Sequence, residues 1–427
     1  MMKRRKIAAI VGLFLLVLTG VRLAWIDVQT TSTRVEAENG LLDLRHWDPT
    51  SKPVLSLVGQ WEFYPSQLMI PDSEDIFEPE GVVAGTATIP GSWERDFTPP
   101  RRSTFGYGTY RLRVLLPSAD LPELTVRVPK LSASSALYMN GRMLGRSGHP
   151  ADNASSYTAS NVPYSVTFVA DRDVLDFVLL MANYDDRVMG GLTEPVKLGT
   201  SKAMTRAYWF SAGSQAAMCL LMVMHAIYAF VLYFIGARQK PLLLFSLLGI
   251  CGAAAIAVDQ DSILSAWFGV DFESLYKVYY LSYLGVAALL LQFVRSLLPG
   301  FPILRLSRWH FAACGVFGLF VLTLPAKLFT YADGLHTALM LVSFVAAPIF
   351  LCLAVRRGVP DAIYLLLGVV AIAANLVWGV LSYTFYLDIG YYPFDMLTLF
   401  TSFALYWFKR YFRNAAELAR LADRLQA

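Results

Sequence analysis

From Ala207 to Tyr411 one apolar run follows another with only short breaks, and no other feature of the chain constrains its fold as much. The runs are Tyr208–Ile235, Pro241–Val258, Tyr276–Leu298, Trp309–Leu324, Leu335–Val355, Ile363–Leu387 and Phe394–Phe412. A helix needs roughly 20 apolar residues to cross a hydrocarbon core, and most of the runs are long enough. Trp309–Leu324 is the shortest. Their near-absence of charge would make such helices aggregate in water. The pattern predicts a membrane α-helical seven-helix bundle over residues 207–412.

Lys and Arg at span ends are retained on the cytoplasmic side. Alternate connections carry Arg238 and Lys240, then Arg295, Arg305 and Arg308, then Arg356 and Arg357, then Lys409, Arg410 and Arg413. The opposite set carries Asp259, Asp261, Asp271 and Glu273, then Lys327 with Asp333, then Asp388, with Lys277 as its other basic residue. The segment before Tyr208 is therefore expected outside a bacterial cell membrane and the tail inside. An odd number of crossings joins an outer domain to an inner helix, as relay of a signal requires.

With 427 residues, 56% of them hydrophobic, the chain has room for one further domain beside the bundle. The net charge of +4 comes mostly from the inner basic strip, which suits anionic lipid headgroups and gives no sign of nucleic acid. All four cysteines, Cys219, Cys251, Cys314 and Cys352, fall in expected spans, so the outer segment must fold without disulfides. Their spacing offers no metal site, and no cofactor is expected.

The N-terminus opens with a basic run, MMKRRK, and an apolar stretch to about Trp25. That stretch exceeds a signal-peptide core of about 7–15 residues, and Thr19-Gly20-Val21 is a poor cleavage site. Residues 1–26 are expected to form an uncleaved anchor, a cleaved signal peptide being the alternative. Residues 27–53 read as a polar linker. From Val54 to residue 200 the texture becomes short alternating runs: Gly59–Tyr64, Thr86–Ile89, Gly108–Leu115, Leu124–Val128, Ala136–Met139, Tyr164–Phe168 and Asp173–Ala182. They predict an extracytoplasmic all-β antiparallel sandwich with Tyr110, Leu112 and Val114 on one face. Asn140-Gly141 is the preferred pair for a type I′ hairpin.

The order Gly59-Gln60-Trp61-Glu62-Phe63-Tyr64, Ile89-Pro90-Gly91-Ser92-Trp93, Gly108-Thr109-Tyr110-Arg111 and Leu137-Tyr138-Met139-Asn140-Gly141 resembles the jelly-roll, galactose-binding-like domain of β-galactosidase-type glycosidases. Ala182-Asn183-Tyr184, Gly190-Gly191-Leu192 and Val196-Lys197-Leu198-Gly199 continue it. Such a sandwich followed by seven spans and an inner helix is similar to the bacterial seven-transmembrane receptors with diverse intracellular signalling modules. The resemblance implies a domain that binds an extracellular small molecule, carbohydrates included. It also implies a cytoplasmic output such as a histidine kinase of a two-component system or a cyclic-dinucleotide enzyme. No such module follows here: the tail has no His and no GGDEF sequence, and a longer protein is expected.

Sugar sites stack aromatic rings and bond hydroxyls with charged side chains. Trp93, Tyr107 and Tyr157, beside Glu94, Arg95, Arg101, Arg102 and Asp152, are the ligand-contact candidates, although Trp61 and Trp93 also read as core aromatics. Gly190-Gly191 reads as a backbone feature. Within the spans, His225, Gln215, His336 and Asn375 are polar residues at membrane depth, with helix-to-helix hydrogen bonds the plainer reading. Pro348 and Gly368 are candidate kinks. The linker 200–206 is short enough to limit tumbling of the sandwich. In the tail (413–427), Leu418, Leu421 and Leu425 recur at helical spacing and begin a signalling or coiled-coil helix, expected to pair with a second copy.

No GxxxxGK[ST], HExxH, GxSxG or kinase motif occurs. Glu62, Glu94, Asp96, Asp185 and Asp186 are plentiful enough for a glycosidase pair, but the resemblance is to an accessory domain that binds and does not cleave. The rival classes are a transporter or channel with a β-sandwich cap, and a non-catalytic regulatory membrane subunit.

Overall fold

The computed structural model describes residues 4–29, 32–71, 84–97, 100, 103–118, 120–131, 134–298, 300–301, 305–387 and 390–426. Helix α1 (Arg4–Gln29) leads into eleven strands: β1 (Ser32–Ala37), β2 (Leu41–Asp43), β3 (Val54–Pro65), β4 (Gly85–Ile89), β5 (Gly106–Leu115), β6 (Leu124–Val128), β7 (Ser134–Met139), β8 (Arg142–Ser147), β9 (Tyr164–Phe168), β10 (Val174–Asn183) and β11 (Val196–Thr200). They form one sheet in the order β8-β7-β10-β5-β3-β11-β6-β9, with β1, β2 and β4 paired onto β3, β5 and β3. The sheet curls until its ends nearly meet. A Cβ on Gly145 of β8 would lie 2.9 Å from Val166 and 3.1 Å from Tyr164 of β9.

All seven expected strands are present. The arrangement is not wholly antiparallel, because β1 runs parallel to β3 and β2 parallel to β5. Residues 32–37 and 41–43, read as linker, are strands whose side chains are mostly exposed or half-buried, so they carry no apolar alternation. β8 is polar for the same reason. At the β7–β8 turn Asn140 has φ +50 and Gly141 φ +81, the left-handed pair the hairpin needs.

The core is that of a two-faced sheet. Tyr110, Leu112 and Val114 point inward with Trp61, Phe63, Trp93, Phe177 and Leu179. On the other face Arg111 and Asp176 form a buried bidentate pair, Nε to Oδ1 at 2.9 Å and Nη2 to Oδ2 at 3.0 Å. Glu62 adds a second carboxylate 3.4 Å from Nη1.

Thr200 leads directly into α2 (Ser201–Leu232). The expected linker at 200–206 is thus corrected: strand passes into helix without a hinge, because Ser201 onward already has helical backbone. Then follow α3 (Lys240–Val258), α4 (Ile263–Phe268), α5 (Phe272–Leu297), α6 (Ser307–Thr323), α7 (Ala326–Phe329), α8 (Asp333–Arg356), α9 (Ala362–Phe385) and α10 (Phe394–Gln426). A helix stands at each of the seven expected places. Among the described residues six helical segments are long and apolar enough to cross a membrane, namely Arg5–Gln29, Ser201–Ile235, Lys240–Val258, Phe272–Leu297, Ala326–Arg356 and Ala362–Ser382. α6 stops at 17 residues, and α10 runs on without a break into the charged tail.

Leu220, Met224, Ile227, Tyr228 and Val231 form an exposed apolar stripe on α2, a lipid-facing surface. Inside, Phe245, Phe293, Phe400 and Phe403 bind α3, α5 and α10 together, with Phe293 and Phe403 ring centroids 4.7 Å apart.

α1 is part of this packing. Ile7 lies in the bundle core, and Arg22 reaches across to Asp395 in the first turn of α10. Arg22 also donates to Asn375 Oδ1 at 3.0 Å, and its guanidinium lies 4.1 Å from the Tyr392 ring centroid and 5.3 Å from that of Trp378. Trp25 Nε1 and Gln29 Nε2 both donate to the Tyr391 carbonyl at 2.9 Å.

Candidate functional site

The junction between the β-domain and the bundle is where chemistry concentrates. Asn183, fully buried at the end of β10, shapes the loop behind it. Its Nδ2 donates to the carbonyls of Thr104, Asp186 and Met189 at 3.1, 2.7 and 3.0 Å. Its Oδ1 accepts from the Asp185 and Asp186 amides at 3.2 and 2.9 Å. Trp93 Nε1 donates to the same Thr104 carbonyl at 3.0 Å, and Thr104 Oγ1 donates to the Asp186 carbonyl at 2.8 Å. Gly191 (φ +88) lies so close that a Cβ would come within 2.8 Å of the Trp93 amide nitrogen. The loop is thereby held from behind by the sheet core.

Its outer edge docks on the helices. Tyr276 OH of α5 donates to Asp186 Oδ2 at 2.7 Å. Arg187 lies 4.5 Å from the ring centroid of Tyr331, between α7 and α8, and Phe105 is 6.3 Å from the same ring. One turn along α5 from Tyr276, Tyr280 OH donates to Asp333 Oδ1 at 2.8 Å, and its carbonyl lies 3.1 Å from His336 Nε2 on α8. A second contact joins β6 to the end of α3. Arg127 Nη2 donates to Asp261 Oδ1 at 2.6 Å, and Lys130 Nζ to the Val258 carbonyl at 2.8 Å. The C-terminal end of α3, the N-terminal end of α5 and the turn between α7 and α8 thus touch the β-domain. At the other end of the bundle Arg413 pairs with Asp361, and Lys409 Nζ donates to Tyr364 OH at 2.5 Å. The β-domain and the tail lie at opposite ends.

Between α1, the β-domain, α2 and the α3–α4 turn lies a cavity of about 420 Å³. Arg127, Lys130, Lys197 and Arg206 bring positive charge to its wall, Glu194 and Asp261 negative. Burial pushes the Lys130 ammonium down, opposed by the carboxylates of Asp259, Glu194 and Asp186.

Asp185 sits in the docked loop. Burial raises its carboxyl above the ordinary range, Glu273 adds repulsion, and Lys327 opposes both. Docking thus favours protonated Asp185. That contribution is complete below the ordinary carboxylate range and is lost as pH rises through the raised value. Hydrogen exchange in residues 184–190 should therefore quicken across that window. Asp185→Asn should flatten this pH dependence; a slope unchanged in the variant counts against the assignment.

The sequence-derived contacts fall elsewhere. Trp93 is 0% exposed and packs the core, so its ring offers no face to a ligand, which corrects its place among the candidates. Glu94 and Arg95 follow it in a short 3₁₀ turn, where Glu94 Oε2 accepts from Ser92 Oγ at 3.2 Å. Tyr107 is half-buried on β5 and Asp152 exposed, accepting from Asn153 at 2.7 Å. Tyr157 packs edge-on against Tyr184 at 5.1 Å. Arg101 and Arg102 lie outside the described residues. None of the six described ones lines the cavity.

Among the polar residues of the bundle, Asn375 takes the bond from Arg22, a helix-to-helix contact as expected. His225 instead bonds the Leu221 carbonyl of its own helix at 2.8 Å and meets Phe400 of α10 edge-on at 6.1 Å. Leu418 is exposed on the tail; the side chains of Leu421 and Leu425 lie outside the description. The glycosidase-like carboxylates serve structure: Glu62 pairs with Arg111 and Arg113, and Asp186 accepts from Tyr276. Arg22, Asp395 and Arg127 were not singled out from sequence, and Asp261 was named only as one of the charges at the span ends. An arginine inside an apolar helix was the available signal for the first.

Residues 212–408 match the family described as 7TM diverse intracellular signalling. Solved structures similar to the chain include a β-glucuronidase of Bifidobacterium dentium, 15% identical over 34% of this chain and 29% of that one, with a TM-score of 0.27. A GH2 β-galacturonidase from Eisenbergiella tayi is 16% identical over 33% and 23%, with a TM-score of 0.23. A β-glucuronidase from Ruminococcus gnavus is 16% identical over 34% and 28%, at 0.27. The chain spans under a third of each of those proteins. No curated protein matches it.

Proposed function

We propose, from the premise that residues 212–408 are a seven-transmembrane diverse-intracellular-signalling domain, that the chain is a bacterial membrane sensory receptor. Its β-domain, read as a galactose-binding-like jelly roll outside the cell membrane, takes a small ligand, with carbohydrates among the candidates. The seven helices after it pass the change inward, and the tail acts on a cytoplasmic output module. The basic residues at alternate span ends support this sidedness. The exposed Leu418 supports pairing of two tails through the stripe Leu418, Leu421 and Leu425.

One observation carries this reading: a continuous mechanical route between the ends. The Asp186 loop is braced by the sheet core and held by α5, and α10 runs unbroken for 33 residues. At 1.5 Å per residue that is about 50 Å, longer than a hydrocarbon core of about 30 Å. A ligand that binds two arrangements of the junction unequally shifts their populations, and so displaces the tail.

Loosening the junction should therefore register at the tail. With cysteine at Leu418→Cys, disulfide crosslinking in membranes should change severalfold when Tyr276→Phe and Arg127→Gln are combined. Equal crosslinking in the intact and loosened proteins would reject the relay.

A further inference from the structure

We propose that the cavity between the β-domain and the outer ends of the helices is a binding site for a small hydroxylated anion, of the sugar-phosphate, sugar-acid or glycerophosphate class. Its size is within the 300–1,000 Å³ range typical of small-molecule pockets, and such pockets favour interfaces between domains. Four basic side chains against two acidic ones leave an excess of two positive charges on the wall. Arg127 is engaged by Asp261, and Lys130 by the Val258 carbonyl. Arg206, one turn into α2, is exposed and has no hydrogen bond or ion pair among the described residues. Its guanidinium presents a fork of donors suited to carboxylate or phosphate.

The hydroxyl requirement comes from another residue of the wall. Gln29 lines the cavity, its Nε2 is committed to the Tyr391 carbonyl, and its buried Oε1 has no partner among the described residues. A buried amide oxygen without a donor is costly, and a ligand hydroxyl supplies one. Glu194 is a further acceptor on the wall. A bare inorganic ion meets the cations and leaves Gln29 unanswered; a neutral polyol does the reverse. Tyr208, over whose ring the Arg127 guanidinium lies at 5.1 Å, also lines the cavity.

The position gives such an anion leverage. It would touch α1, β3, β11, α2 and the α3–α4 turn together, so occupancy bears on the strand-to-helix passage at Thr200–Ser201 and on the Arg127–Asp261 tie. The assignment does not depend on the receptor reading, since binding is measured without reference to the tail.

Two sources present this chemistry, a soluble metabolite and the headgroup of a phospholipid such as phosphatidylglycerol, and one experiment separates them. The full chain in phosphatidylcholine nanodiscs is titrated with glucose 6-phosphate, glycerol 3-phosphate, and glycerol as the neutral control. In parallel, its thermal midpoint is compared in nanodiscs with and without phosphatidylglycerol. Arg206→Gln, at an exposed position without partners among the described residues, should fold normally. It should weaken binding of the phosphates about tenfold or more, or abolish the stabilisation by phosphatidylglycerol. The first outcome assigns a soluble ligand and the second a lipid headgroup. Glycerol binding as well as the phosphates, no response to any probe, or a response untouched by Arg206→Gln overturns the proposal.

Discussion

Replacing Arg22 with alanine should destabilise the bundle by about 3–5 kcal/mol, because it leaves Asp395 buried and unpaired. Arg22 is 3% exposed and Asp395 1%, so water does not screen the pair. The substitution also strips Asn375 of its donor and removes the cation from the Tyr392 and Trp378 faces. In hydrocarbon the isolated carboxylate has no inexpensive alternative. The double substitution Arg22→Met with Asp395→Leu should recover most of the loss, since an apolar pair of similar volume is often neutral or better. Thermal midpoints in nanodiscs decide this. Equal midpoints for the single variant and the parent would mean that the pair contributes nothing. The same measurement bears on α1, which packs as a member of the bundle through Arg22, Trp25 and Gln29; proteolytic release of α1 from the Arg22→Ala variant alone is the expected companion result.

Asp176→Ala should cost the β-domain a similar amount, about 3–5 kcal/mol. Arg111, 4% exposed, would lose both oxygens of the Asp176 carboxylate and keep the longer contact to Glu62 at 3.4 Å. Because β3, β5 and β10 are adjacent in the sheet, the damage should spread through its centre and not stay at an edge. Hydrogen exchange should show the amides of β5 and β10 losing protection together, while those of α3 and α5 keep theirs. Loss confined to one strand would show that the pair does not hold the sheet centre.

Both pairs mark the limit of what a linear pattern reveals. The alternation of β5 and the apolar runs after Tyr208 are local, so strand, helix and inward face follow directly from them. Asn140-Gly141 is legible because φ > 0 selects its residues. β1, β2 and β8 were missed because exposed strands lack the apolar period that marks a buried one, and the short buried β11 was read only as part of the family-like motif order. The junction was missed for another reason. Asp186 and Tyr276 are 90 residues apart, and Arg22 and Asp395 373 apart; only folding brings each pair together. Arg22 is the residue that the N-terminal apolar stretch delivers to α10. Aromatic loop residues were favoured as ligand contacts on composition, but Trp93 is consumed by the core, and the cavity wall is gathered from segments between Val28 and Gly390.

The hinge-free passage from β11 into α2 makes chain length there a matter of angular phase. One residue inserted between Thr200 and Ser201 would turn everything downstream by about 100° and lift it about 1.5 Å, while four would leave it about 40° past its starting azimuth and about 6 Å higher. The sheet and α2 are geared together, so a change in residue count at this joint re-aims the helix in a way that a side-chain change there does not.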